Sequence, residues 1–96
     1  SGPAYVFYMV EAMAAAGEAI GLPQELSQTL ARQTVSGAGA LLDASDETVA
    51  KLRENVTSPG GTTAAALDVL MSDQGLVKVI RRAMTAAKDR SKELAN

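Results

Sequence analysis

Apolar residues recur along the chain at steps of three and four, and no stretch alternates with the period of two that a half-buried strand requires. Val6, Met9, Val10, Met13, Gly17 and Ile20 trace such a stripe. They predict a first helix opening at Ser1-Gly2-Pro3, with Ser1 as its cap and Pro3 in its first turn. Gly21-Leu22-Pro23 ends that helix and opens a second over about Pro23–Asp43, with Leu26, Leu30, Gln33/Thr34, Gly37 and Leu41 on one side. Ser45 is expected to cap a short third helix, Asp46–Glu54, placing two acids where the helix dipole favours them. A fourth helix is expected over about Thr62–Met71. The fifth, over about Asp73–Leu94, carries Leu76, Ile80, Met84, Ala87 and Leu94 on one face. Only Asn55–Thr63 reads plainly as non-helical. The pattern predicts an all-α bundle of about five helices forming one domain, residues 1–96.

Composition qualifies that picture. Of 96 residues 47% are apolar, but 18 are alanine, which leaves 27 larger apolar side chains. A domain this short buries only roughly 60–65% of its unfolded surface, so a thin alanine core has a slim margin unless a partner covers it. The Gly37-Ala38-Gly39-Ala40 run costs its helix roughly 1 kcal/mol per glycine relative to alanine. That loss is tolerable where missing side chains let another helix approach closely. Gly37-Ala38-Gly39-Ala40-Leu41-Leu42 superficially matches a dinucleotide fingerprint, but Leu42 occupies the third glycine position and no strand precedes it. It reads as a helix-packing patch.

Charge and missing residue types narrow the chemistry. There is no cysteine and no histidine. Disulfides, thiolate nucleophiles, Ser-His-Asp relays and the usual zinc sites are therefore excluded within this chain, and a reducing cytoplasm is compatible. No metal site is expected. The net charge of −2 is unevenly spread: residues 1–75 carry three basic and nine acidic groups, residues 76–96 six basic and two acidic. A basic last helix suits the negative end of its own dipole. Without interleaved aromatics it does not read as a nucleic-acid surface. Pro3–Leu22 is the one membrane candidate, but Glu11 and Glu18 would be costly in hydrocarbon, so an interior or interface helix is expected. The opening lacks both an initiator Met and a signal-peptide layout, as expected of a piece of a longer chain.

Thr57–Thr63 is the best candidate site. Pro59-Gly60 is turn chemistry, and Gly60-Gly61 lets backbone approach a ligand or adopt positive φ. The segment feeds a helix N-terminus, whose free amides favour an anion. Thr57, Ser58, Thr62 and Thr63 add hydroxyls that both donate and accept. No Lys or Arg lies within it, which favours a small carboxylate over a polyphosphate. The plainer alternative is a helix corner whose hydroxyls merely cap. Tyr5, Phe7 and Tyr8 read as packing aromatics, and Glu11 with Glu18 as a solvated or interface stripe. Arg81-Arg82 reads as a solvated face or an inter-subunit ion pair.

The sequence resembles the pyrroline-5-carboxylate reductase family at three places: Ser1-Gly2-Pro3-Ala4-Tyr5-Val6-Phe7, Gly37-Ala38-Gly39 after Gln-Thr-Val, and above all Asn55-Val56-Thr57-Ser58-Pro59-Gly60-Gly61-Thr62-Thr63 with Ala66-Leu67. The resemblance covers the C-terminal helical part of such an enzyme, without the N-terminal dinucleotide-binding half. It implies reduction of 1-pyrroline-5-carboxylate to L-proline, the last step of proline biosynthesis. The NADPH or NADH would be held mainly by the half not represented here, so the fragment alone is expected to be inactive. It also implies a cytoplasmic homodimer of intertwined helices, and the family can assemble further into rings. Residue by residue, it implies that Ser58, Gly60, Gly61 and Thr62 hold the substrate carboxylate and that the catalytic Thr63 hydroxyl approaches the ring nitrogen. Val56 would line the pocket. Two other readings stand beside it: a helical interaction module with no ligand site, and the equivalent domain of a related imino-acid dehydrogenase.

Overall fold

A computed structural model describes all 96 residues, and they form five helices with no strand. They are α1 (Gly2–Ala19), α2 (Gln24–Ala44), α3 (Val49–Asn55), α4 (Thr62–Leu70) and α5 (Leu76–Ala95). The chain divides into two compact units, Ser1–Asp46 and Glu47–Asn96.

The first unit is a helical hairpin. α1 ends in a Schellman turn: Gly21, at φ +114°, donates to the Glu18 carbonyl at 3.1 Å, and Leu22 donates to that of Gly17 at 3.0 Å. Only glycine holds that φ without strain, so the expected stop falls where the sequence places it. The expected cap at the other end does not form. The Ser1 hydroxyl bonds to the Tyr5 hydroxyl at 2.9 Å and caps no amide, while the Ala4 amide donates to the Ser1 carbonyl at 3.1 Å.

The face that α2 turns toward α1 also differs from expectation. Its buried residues are Ser27 and Ala31, with Val35 half-buried, one step away from the leucine stripe. Leu26, Leu30, Leu41 and Leu42 remain 44–56% exposed. Small residues win because they permit close approach. A Cβ added to Gly17 would lie 3.0 Å from the Ser27 hydroxyl oxygen, so the helices meet where side chains are shortest. That hydroxyl is buried with no hydrogen-bond partner. Gly37 and Gly39, expected to mark close contact, face open space within the chain.

In the second unit Thr48, not Ser45, caps α3: its hydroxyl accepts from the Lys51 amide at 3.1 Å. The helix accordingly starts at Val49 rather than Asp46, leaving both acids outside its first turn. α4 begins at Thr62 as expected. α5 begins at Leu76, three residues later than expected, because Met71–Gly75 forms a connection. Ser72 donates its amide (3.2 Å) and its hydroxyl (2.6 Å) to the Val69 carbonyl, and Gly75 donates to that of Ser72 at 2.9 Å. A Cβ at Gly75 would collide with the Leu70 carbonyl oxygen. Glycine is needed here for space, since its φ of −81° suits any residue.

Candidate functional site

The link between α3 and α4 is built by local chemistry. α3 closes with Val56 donating to Arg53 and Thr57 to Glu54, at 3.3 and 3.1 Å between amide and carbonyl. The Thr57 hydroxyl donates to the Arg53 carbonyl at 2.6 Å. That hydroxyl, one of four expected to serve a ligand, is spent on finishing the helix. Ser58-Pro59-Gly60-Gly61 then turns the chain: Pro at the second position, φ +71° at Gly60 and a 3.0 Å bond from the Gly61 amide to the Ser58 carbonyl are the marks of a type II turn.

The turn delivers the backbone to α4 with its amides bare. Gly61 is the N-cap residue and supplies no side-chain cap. The first bond of the helix runs from the Ala65 amide to the Gly61 carbonyl at 3.2 Å. Thr62, Thr63 and Ala64 therefore occupy the first three positions, whose N–H groups have no acceptor within the helix. The hydroxyls of Ser58, Thr62 and Thr63 are likewise unbonded, and all three residues are exposed. Three amides at the positive end of a nine-residue helix, with three hydroxyls around them, can bind one carboxylate.

The residues singled out in the sequence thus divide. Ser58, Gly60, Thr62 and Thr63 come together on one short stretch of surface. The Gly61 amide is consumed by the turn, so that residue shapes the loop and does not donate; a Cβ there would press the Ser58 carbonyl oxygen at 3.2 Å. Val56 is 65% exposed and lines neither of the two described concavities. The Ala64 amide was missed, because alanine carries no mark of its own and its contribution comes solely from its position in α4. Beside the loop, α3 and α4 frame a shallow cleft of about 260 Å³ lined by Arg53, Thr57, Ala64 and Leu67 among others.

Gly37-Ala38-Gly39 lies inside α2, where the amides already belong to the helix ladder. No cluster of three acidic or other metal-ligating side chains occurs. No helix is long and apolar enough to cross a membrane.

Comparison with known proteins follows the same lines. Residues 1–94 match the family described as pyrroline-5-carboxylate reductase dimerisation. Over 94 residues the chain is 47% identical to the pyrroline-5-carboxylate reductase of Synechocystis sp., covering 98% of this chain and 35% of that protein. It is 43% identical over 95 residues to the Glycine max enzyme, covering 99% and 34%. Among solved structures, Coxiella burnetii pyrroline-5-carboxylate reductase superposes with a TM-score of 0.90 at 46% identity, covering 98% of this chain and 34% of that one. Plasmodium falciparum pyrroline carboxylate reductase, solved with NADP bound, gives 0.91 at 37% identity, covering 99% and 38%. The chain spans about a third of the length of the curated relatives it matches.

Proposed function

The chain belongs to the pyrroline-5-carboxylate reductase dimerisation family, and from that premise we propose that it is the helical dimerisation and substrate-binding part of an enzyme reducing 1-pyrroline-5-carboxylate to L-proline. The bare amides of Thr62, Thr63 and Ala64 beyond the Pro59-Gly60 turn carry this reading. A cyclic imino acid has one carboxylate, and a helix N-terminus with hydroxyls holds one such charge without a lysine. In this role Ser58, Gly60 and Thr62 grip the carboxylate. Gly61 keeps the backbone tight enough for that approach, and Val56, exposed in this chain, forms part of the wall once the rest of the enzyme closes the pocket.

Reduction of an imine puts hydride on carbon and a proton on nitrogen. Thr63, whose hydroxyl and amide are both free at the second position of α4, supports the nitrogen as it gains electron density. The remaining demand is orientation, which needs neither His nor Cys. The hydride comes from NADPH or NADH. Those cofactors, and with them turnover, belong to the complete enzyme, which we place in the cytoplasm.

A homodimer is part of the same reading. The chain leaves 7803 Å² accessible, where a folded monomer of 9.9 kDa exposes about 5,200 Å². The surplus is of the order that obligate homodimers bury. Its contributors include Phe7, Tyr8, Leu26, Leu41 and Met84, each 44–71% exposed.

Titration with L-proline, followed by backbone amide NMR shifts, tests the site. Gly60, Thr62, Thr63 and Ala64 should move first. No perturbation there at millimolar proline, in protein shown to be dimeric, rejects the carboxylate loop and leaves an interaction module without a ligand.

A further inference from the structure

We propose that Thr57 is a positioning residue for substrate binding: its hydroxyl, tied to the Arg53 carbonyl, fixes the direction in which the bare amides of α4 face. This rests on the carboxylate reading of that site and adds a residue that aims it without touching the ligand.

No core holds α4 at its angle to α3, because no residue of Glu47–Asn96 is buried. From α3 through α4 the half-buried residues are Leu52, Thr57, Gly61, Ala64 and Leu67, and Thr57 alone among them has a polar side chain. Thr57, Ala64 and Leu67 line one cleft together with Arg53 and Met71, so the threonine sits where the two helices meet. α3 itself has seven residues, too few to stand as a helix unaided. With so little packing, the direction of α4 is set by the bonds of the connection.

Those bonds run without a gap from one helix to the next. The Arg53 carbonyl accepts the Thr57 hydroxyl at 2.6 Å and the Val56 amide at 3.3 Å, so the side chain supplies the shorter bond. The Thr57 amide donates to the Glu54 carbonyl at 3.1 Å, that of Gly61 to Ser58 at 3.0 Å, and that of Ala65 to Gly61 at 3.2 Å. The last two close the turn and open α4, so Ser58 and the amides of Thr62, Thr63 and Ala64 move as one body. Thr57 fastens that body to α3. Without its hydroxyl the fastening is left to amide bonds at the open end of a short helix, and the body swings as a whole. The carboxylate grip then stays built but no longer faces a substrate held by the rest of the enzyme. Bound substrate reacts as before while less of it is bound, a loss that appears in KM and not in kcat.

The test is made in the intact reductase that carries this chain. Thr57→Val keeps the branched shape and removes the hydroxyl; it should raise KM for 1-pyrroline-5-carboxylate about three- to tenfold, the worth of one hydrogen bond. kcat and KM for the nicotinamide cofactor should stay at wild type. The inhibition constant of L-proline should rise with KM for the imino acid, because both ligands offer one carboxylate. Thr57→Ser restores the hydroxyl without the methyl group and should return KM to wild type. Should Thr57→Val fail to fold, Thr57→Ala takes its place in the same comparison with serine. A serine variant as impaired as valine overturns the proposal, since the hydroxyl is then not the cause. A loss shared equally by kcat and both KM values, in step with the melting temperature, makes Thr57 a structural residue and overturns it as well. Wild-type KM in Thr57→Val overturns it while the carboxylate site stands. A wild-type protein that does not reduce 1-pyrroline-5-carboxylate rejects the reading of the site itself.

Discussion

In the proposed reaction, Thr63 carries much of the site on a single side chain. It occupies the second position of α4, with amide and hydroxyl both free. Thr63→Val keeps the branched shape and removes only the hydroxyl. A hydrogen bond to a group gaining charge contributes about 1.5–3 kcal/mol. Turnover by the intact reductase should therefore fall on the order of ten- to a hundredfold, with thermal unfolding unchanged. Steady-state kinetics beside a melting curve checks this, and wild-type turnover removes Thr63 from the reaction. The loop itself was legible in the sequence, because Pro59 and Gly60 have few conformations to choose from and the turn they form is local. What the residue types did not disclose was the division of labour. Thr57 and Ser58 look alike as hydroxyl donors, yet Thr57 is spent on the Arg53 carbonyl and Ser58 is free.

Helix ends and helix faces were legible to different degrees. Gly21 and Thr62 mark their boundaries through backbone chemistry that the sequence displays directly. Ser45 and Thr48 are both good caps three residues apart, and only the bond from the Lys51 amide distinguishes the one used. α5 starts late because of Gly75, whose φ is ordinary and whose need for glycine is purely steric. Gly75→Ala should force the connection away from the Leu70 carbonyl at a cost of about 1–3 kcal/mol. That corresponds to a fall in Tm of roughly 5–15 °C for a domain of this size. A melting temperature within 1 °C of wild type would show that the connection yields freely. Faces were harder. On α2 the leucines trace the conspicuous stripe, yet Ser27 and Ala31 are the residues that turn inward. Periodicity marks an apolar face without saying what covers it, and a subunit interface leaves the same trace as a core.

The first unit puts its bulk on the outside and its small residues, Ser27 and Ala31, inside, while the second unit buries no residue. Gly37 and Gly39 belong to this outward surface, since a Cβ at either meets nothing within 4 Å. Gly39→Leu is accommodated within one chain and gains helix propensity of about 1 kcal/mol. It should nonetheless obstruct a neighbouring subunit. Sedimentation should show weakened self-association while helix content measured by circular dichroism is preserved. An unaltered dimer would place Gly39 outside the interface. The family, the all-α architecture and the turn that leaves the first α4 amides bare were all readable from one chain, because each is written in contiguous residues. Which surfaces meet a neighbour was not, because that information is shared between two molecules.

In the proposed homodimer, the leucines left bare on α2 make folding a second-order affair. A lone copy has almost nothing fully sequestered, since Ala31 and Ser27 alone are buried, so the proposed homodimer would draw much of its stability from encounter with its twin. Dilution then acts as a mild denaturant: each tenfold drop in protein removes about 1.4 kcal/mol from the coupled equilibrium. Heating curves recorded from micromolar to nanomolar should shift steadily downward, and curves that superimpose would mean that each copy stands by itself.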